Sequence, residues 1–514
     1  MKSFLATFLF ILTPIAAFAE ASADGKVPAA EVENAIESAD PPDAATENLV
    51  EKSLVRVNAT RQSFDLTRPW EKTSPDRRLG LGAVIEGKRV LTTAEMVANA
   101  TYVELEIPDS GRKATAEVVA IDYEANLALV RPIESDSDFL KDRRALKLAT
   151  ESKPGDLLHV WQIEDNGTPV STPVVFTRGE VTSYFVDNAF FLAYEANGTL
   201  QYHGGSFTLP VLNGNRLAGM LLSYSSKEQV SNILPATIIE HFLREQADGD
   251  YRGFPTLGIA FAQTLDEQFR KYLGLNGREG GIYVSKVLKQ SSAAKSGVKP
   301  GDVILEIAGN PIDARGNYDD PAFGKLSMSH LVRGKPFVGD EVPFKILRDG
   351  KEKIIGVTLE RRAAEDHLVD PYMFDRGPKF LILGGLVFQE LTRPYLKLYG
   401  DNWQSRAPIK LLLADAQPER FEKEGKKKIV FLTRVIPTPA TLGYERVNSV
   451  IVTKVNGQEI TQVSDMAEAL KSPVDGIHKI EFDDFPGIIY VDASLAAQIN
   501  EQLKAQIGTV ERLK

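Results

Sequence analysis

The stretch that most restricts the fold is "GGIYVSKVLKQSSAAKSGVKPGDVILEIAGNPI", Gly280 to Ile312. Its apolar residues predict a strand, then a short helix over Ala293 to Ser296. Gly297 stops that helix, and "KPGD" makes a tight turn into a second strand, "VILEIAG". The pattern recurs in part at "VNSVIVTKVNGQEI", Val447 to Ile460, so an internal repeat is visible in the chain itself.

The rest of the chain is organised around these units. Its 514 residues exceed what one core holds, and about three domains are expected. Residues 1–19 have a basic start, an apolar centre and the small-x-small end Ala17-Phe18-Ala19, which reads as a signal peptide cleaved before Glu20. No later run reaches the ~18 apolar residues of a membrane span. The absence of cysteine suits an oxidising compartment, and a bacterial periplasm is expected, with secretion to the outside left open. Residues 20–48 are rich in Ala, Glu, Asp and Pro and are expected to form a flexible arm with one transient helical turn.

From Leu54 the texture changes to short β-branched runs separated by turns: "SLVRVNAT", "LGAVIEGKRVLTTAE", "TYVELEI", "KATAEVVAIDY" and "NLALVRPI". This spacing predicts an all-β barrel or sandwich over residues 49–247. The block closes on a predicted helix in "SNILPATIIEHFLREQ", with Ile238, Ile239, Phe242 and Leu243 on one face. A polar linker, "ADGDYRGF", follows. The net charge of −10, without a concentrated basic run, argues against a nucleic-acid partner. The six histidines are scattered without metal-ligand spacing, so no metal and no cofactor are expected. His203-Gly204-Gly205 lies in a β context that does not suit the oxyanion motif of α/β-hydrolases.

The Gly280–Ile312 segment resembles a PDZ domain, here spanning 253–362. Thr256, Leu257, Gly258 and Ile259 look like its carboxylate-binding loop, where successive N–H groups capture a peptide terminus and the peptide adds a strand to the sheet edge. A signal peptide, a β-rich block and a PDZ together resemble the HtrA/Deg family of trypsin-fold serine proteases. The long segment Tyr318 to Arg362 and "DPYMFDRGPKFLILGGLVFQELTRPYL" resemble its plant-type branch, whose tail, here 363–514, is a second, degenerate PDZ with a C-terminal helix. The resemblance implies a trypsin-like double β-barrel followed by two PDZ-type domains.

The same resemblance implies an altered active site. Active members read approximately "IITNAHVV", "D-L-A-L" and "G-N-S-G-G". Here "VLTTAEMV" puts Glu95 at the histidine position, and "ANLALV" puts Asn126 at the aspartate position. Counting back from Gly219 puts Ser206 at the nucleophile position, with Phe207 where a glycine would help to form the oxyanion hole. The triad needs an imidazole to take the serine proton, held by a buried carboxylate. Unperturbed glutamate, at about 4.3 against about 6.5 for histidine, is the weaker base. The implied protein is proteolytically inactive and binds peptides or unfolded C-termini through its PDZ domain. It would form a homo-oligomer and support protein quality control or regulate an active relative. The alternative is an active serine endopeptidase with an altered triad.

Overall fold

The computed structural model describes residues 26–200, 208–247 and 249–514. Two helices come first, α1 (Ala29–Glu37) and α2 (Ala44–Ser53). They correct the expectation of a flexible arm. Asp43 caps α2 by accepting from the Thr46 N–H (2.8 Å), and Val50 is fully buried. Ahead of α1, Lys26 pairs with the largely buried Glu195 (2.7 Å), and the Val27 N–H donates to Thr177 O (3.2 Å). Few apolar residues suffice here because the helices dock on a formed barrel instead of folding alone.

The strands predicted from Leu54 onward close into a barrel. They are β1 (Leu54–Arg61), β2 (Asp76–Ile85), β3 (Arg89–Thr92), β4 (Ala100–Glu106), β5 (Lys113–Asp122) and β6 (Leu127–Pro132), in the order β1-β2-β3-β6-β5-β4. Between β3 and β4 sits the one-turn helix α3 (Ala94–Val97). A second closed barrel repeats the topology with β7 (Leu157–Ile163), β8 (Pro169–Ser183), β9 (Phe190–Asn197), β10 (Pro210–Asn213), β11 (Arg216–Ser225) and β12 (Val230–Pro235), ordered β10-β11-β12-β9-β8-β7. This is the predicted trypsin-like double barrel. The helix predicted from Ser231 begins only at Ala236, as α4 (Ala236–Glu245), because Ser231 to Pro235 complete β12. Pro235 has extended backbone and no N–H to give, so it ends the strand and starts the helix.

The next domain is a sheet of β13 (Ile259–Ala262), β14 (Ile282–Val287), β15 (Val303–Ile307), β16 (Asn310–Pro311), β19 (Glu341–Arg348) and β20 (Lys351–Thr358), with a separate hairpin of β17 (Asn317–Asp320) and β18 (Gly324–Ser327). Helices α5 (Glu267–Tyr272), α6 (Ser292–Lys295) and α7 (Ser329–Arg333) complete it. Its core is continuous with that of the second barrel: Trp161, Phe176 and Tyr194 join Ile282, Ile304 and Phe344 in one buried cluster. Phe323, at the tip of the β17–β18 hairpin, lies against Phe176 and Tyr194, and a Cβ on Gly179 would meet its ring at 2.9 Å.

The last domain is built on β21 (Phe380–Leu383), β22 (Leu386–Glu390), β23 (Val430–Val435), β24 (Val450–Val455), β25 (Gln458–Glu459), β26 (Ile477–Phe482), β27 (Ile488–Asp492) and β28 (Glu511–Arg512). Helices α8 (Arg393–Lys397), α9 (Trp403–Arg406), α10 (Ile409–Ala416), α11 (Pro418–Lys423) and α12 (Val463–Ala469) lie between its strands, and α13 (Ala493–Ile507) follows β27. Strand β21 pairs with β22 along the edge opposite β23, so both edges of β22 are filled from within the chain.

Candidate functional site

Two of the three positions picked out in the sequence come together at the rim of the first barrel. The β3 strand runs into α3, where Ala94, Met96 and Val97 are buried and Glu95 faces outward. Asn126 ends the β5–β6 turn with φ +53°, a left-handed conformation that Asn tolerates better than most side chains. Asp122 shapes that turn, its Oδ1 accepting from the Ala125 N–H at 2.7 Å. Asn126 is 3% exposed, and its Oδ1 accepts the backbone N–H of Glu95 at 2.9 Å. Asn126 thus braces the backbone of Glu95 through a neutral amide.

The Glu95 side chain is engaged elsewhere. Its carboxylate pairs with the Arg78 guanidinium on β2, both side chains 33% exposed. Arg61, at the end of β1, donates to Glu95 O (3.5 Å) and is itself held by Asp76 (2.6 Å). Neither arginine was legible as a site residue. Their positions beside Glu95 follow from the β1–β2 pairing, in which Arg61 faces Asp76 and Ala59 faces Arg78.

Ser206 lies outside the described residues, as do His203 and Phe207. Thr208, two residues further along the chain, bridges the barrels: its Oγ1 is 2.8 Å from Thr93 Oγ1, and its carbonyl accepts from the Leu81 N–H at 3.0 Å.

The turn that carries Asn126 is gripped from behind by the third domain and the segments on either side of it. Glu124 accepts from Arg333 of α7 and from the Tyr372 hydroxyl (3.2 Å), and Asp122 accepts from the Tyr251 hydroxyl (2.7 Å). Burial, with the Asp122 charge second, pushes the Tyr251 phenol up, which keeps it a donor. The polar stretch expected to be a linker is thus anchored. Phe254, 1% exposed, stacks on His241 of α4 (4.3 Å), and Phe337 covers the other face of that imidazole (4.1 Å). Burial holds His241 down to about 4, with Arg244 adding to the effect.

The second predicted site, Thr256 to Ile259, enters β13, which ends its sheet and pairs with β14. The carbonyls of this loop turn inward. Thr256 O accepts from Ser292 Oγ (2.6 Å), Leu257 O from the Ala293 N–H (3.0 Å) and Gly258 O from the Leu288 N–H (2.9 Å). Among the described residues nothing accepts from the N–H groups of Leu257 and Gly258. Gly258 has φ +76°, and a Cβ there would lie 2.2 Å from Ser291 Cβ. This glycine is required first by its own α6 cap, Ser291.

No group of three or more His, Asp or Glu suited to a metal occurs among the described residues. Among them, no helix is long and apolar enough to cross a membrane.

The architecture is that of a protease-type double barrel carrying two further domains, and comparison with known proteins identifies both of these. Residues 255–359 and 369–507 each match the PDZ domain family. The chain is 28% identical over 456 residues to Protease Do-like 2, chloroplastic, of Arabidopsis thaliana, covering 87% of this chain and 72% of that protein. It is 26% identical over 300 residues to the periplasmic serine endoprotease DegP of Escherichia coli (strain K12), covering 57% and 58%. Among solved structures, the HtrA-type protease AlgW with tripeptide superposes at 18% identity and a TM-score of 0.48, over 63% of this chain and 98% of that one. Homology to the Deg proteases and the two PDZ domains support the HtrA/Deg family: the chain is a protease-like protein with PDZ domains.

Proposed function

We propose that this is a proteolytically inactive HtrA/Deg-type protein of the periplasm. It captures peptides or unfolded protein C-termini through its first PDZ domain, in protein quality control or in regulation of an active protease. The observation that carries the reading is the pairing of Glu95 with Arg78. A triad base must be free to accept the serine proton and must be oriented by a buried charge. Here the carboxylate is taken by a guanidinium, and Asn126 offers an amide where the charge belongs. Peptide capture rests on the open end of the sheet at β13 and on the unengaged N–H groups of Leu257 and Gly258, which suit a terminal carboxylate. The second PDZ domain fills both edges of its β22, so the first is assigned the ligand.

The relatives named above are a protease and a serine endoprotease, which favours one other reading: a serine endopeptidase working with an altered triad. Incubating the mature chain with casein, beside its Ser206→Ala variant, separates the two. Cleavage that disappears in the variant overturns the inactive reading. No cleavage by either chain, with a C-terminal peptide bound in a parallel titration, supports it. The homo-oligomer expected of such a protein is checked by light scattering on the same preparation.

A further inference from the structure

The connection between β1 and β2, residues 62–75, is a preformed tongue. Asp65 Oδ1 accepts from the N–H groups of Thr67 (2.8 Å) and Arg68 (3.1 Å). The Asp65 N–H donates to Glu71 O (3.0 Å), and the Thr73 N–H to Ser63 O (2.8 Å). The apolar side chains of this tongue leave the barrel and pack on the second PDZ domain. Leu66 joins the cluster of Tyr395, Leu396 and Phe431, and the Trp70 ring lies 6.3 Å from that of Phe380. Arg512 of β28 covers both Phe64 (4.4 Å) and Phe380 (5.4 Å) and donates to Pro69 O (3.0 Å). Gln389, 2% exposed on β22, donates Nε2 to Leu66 O (3.1 Å). A buried amide committed to a carbonyl some 320 residues away in sequence fixes the tongue at one place on that sheet.

Both roots of the tongue end on Glu95. Arg61 at the first root holds its carbonyl, and Arg78, just past the second, holds its carboxylate. Asp76 at the second root pairs with Arg61, tying the roots to each other. We propose that the second PDZ domain is a clasp for the altered active site: by gripping the tongue it holds Arg61, Asp76 and Arg78 in register, and these hold Glu95 and the α3 turn in place. The inference concerns the rigidity of the site and does not depend on whether the site retains any catalysis. It gives the second PDZ domain an intramolecular ligand, the tongue, bound through a sheet face.

Site-resolved hydrogen exchange on the full chain tests the clasp. In Arg512→Ala and in Gln389→Ala, the amides of Asp65 and Thr73 are expected to exchange at least tenfold faster, and the Glu95 amide, bonded to Asn126, is expected to follow them. The Leu221 amide, bonded to Leu209 O in the second barrel, is expected to stay unchanged. A loosened tongue beside an unchanged Glu95 amide overturns the proposal, as does a tongue whose protection survives both substitutions. Should either variant unfold the second PDZ domain, seen as lost protection of the Asn456 amide, which donates to Lys479 O (2.8 Å), then Trp70→Ala cuts the contact from the tongue side and decides by the same criterion. Arg78→Gln supplies the independent check. It is expected to free the Glu95 amide while leaving Asp65 and Thr73 protected, and adding Arg512→Ala should then free Glu95 little further. Additive effects of the two substitutions on the Glu95 amide would mean that they act separately, and the clasp would not be the link.

Discussion

The loop at Gly258 permits a prediction worked from one backbone angle and one distance. Replacing Gly258 by Ala places an L side chain at φ +76°, which costs about 1–2 kcal/mol for the left-handed conformation alone. It also places a Cβ 2.2 Å from Ser291 Cβ, and relief of such an overlap costs about 1–3 kcal/mol more. The expected destabilisation of the loop is therefore about 2–5 kcal/mol. Ser291→Gly removes the colliding atom. Ser291 caps α6 through the Ala294 N–H (3.2 Å), but Ser→Gly at a cap costs only a few tenths of a kcal/mol. The double variant should retain the backbone cost and lose the overlap, so the pair should be non-additive by about 1–3 kcal/mol. Native-state exchange of the Leu288 and Ala293 amides, which donate to Gly258 O and Leu257 O, reads the opening free energy of this loop directly. Peptide titration on the same variants should give binding at least tenfold weaker for Gly258→Ala and partly restored in the double variant. Strict additivity, or a Gly258→Ala effect of a few tenths of a kcal/mol, would refute the assignment of this glycine to its contact with Ser291.

The other predictions concern ligand, site and pH. C-terminal hydrophobic peptides should bind the full chain in the micromolar range, about −8 kcal/mol, and amidating the terminal carboxylate should weaken binding by tenfold or more in calorimetry, since the Leu257 and Gly258 N–H groups would lose their charged acceptor. Glu95→His with Asn126→Asp should not produce casein cleavage, because Arg78 would stand unpaired beside the new imidazole and oppose its protonation; robust cleavage by this double variant would show that the oxyanion loop is intact and the decay shallow. His241 sits at about 4 against about 6.5 when unfolded, so the unfolded chain takes up a proton first as pH falls. Its contribution, about 3 kcal/mol, is complete above pH 6.5 and lost between 6.5 and 4, with Arg244, Asp122 and Asp340 the charges that act on it. His241→Phe should flatten the pH dependence of chemical denaturation in that window, and an unchanged slope would contradict the assignment.

Much of this arrangement was legible in the sequence. The β-branched runs from Leu54 mark β1 to β6: β1 alternates between barrel core and solvent, as the burial of Val55 and Val57 beside the partly exposed Arg56 illustrates, while β3 and β6 are short, nearly continuous buried runs. Glu95 and Asn126 were legible because each sits beside a strong strand that fixes its place. What the sequence hid is tertiary. The Ala-rich arm forms helices only because Lys26 and Val50 find partners on the barrels, and the tongue reads as a polar turn until Leu66 and Trp70 are seen on another domain. Arg78 is one surface arginine among many until strand pairing puts it beside Glu95.

The nucleophile position shows how such a count can move. Ser206 was placed by counting back from Gly219 through the β10–β11 hairpin, and that hairpin has a register shift between Val211 and Leu212. One extra residue across a bulge lengthens the count back from Gly219 by one, which would bring Gly205 to the nucleophile position in place of Ser206. A glycine carries no nucleophile at all. The two registers therefore predict the same inactivity for different reasons, one through a missing base and the other through a missing nucleophile as well. They part in the restoration experiment. With Ser206 in register, removing Arg78 along with Glu95→His and Asn126→Asp leaves a complete triad facing an obstructed oxyanion hole, and slow cleavage sensitive to Ser206→Ala should emerge. With Gly205 in register, no combination of substitutions at Glu95, Asn126 and Arg78 can produce cleavage, and only Gly205→Ser added to them would.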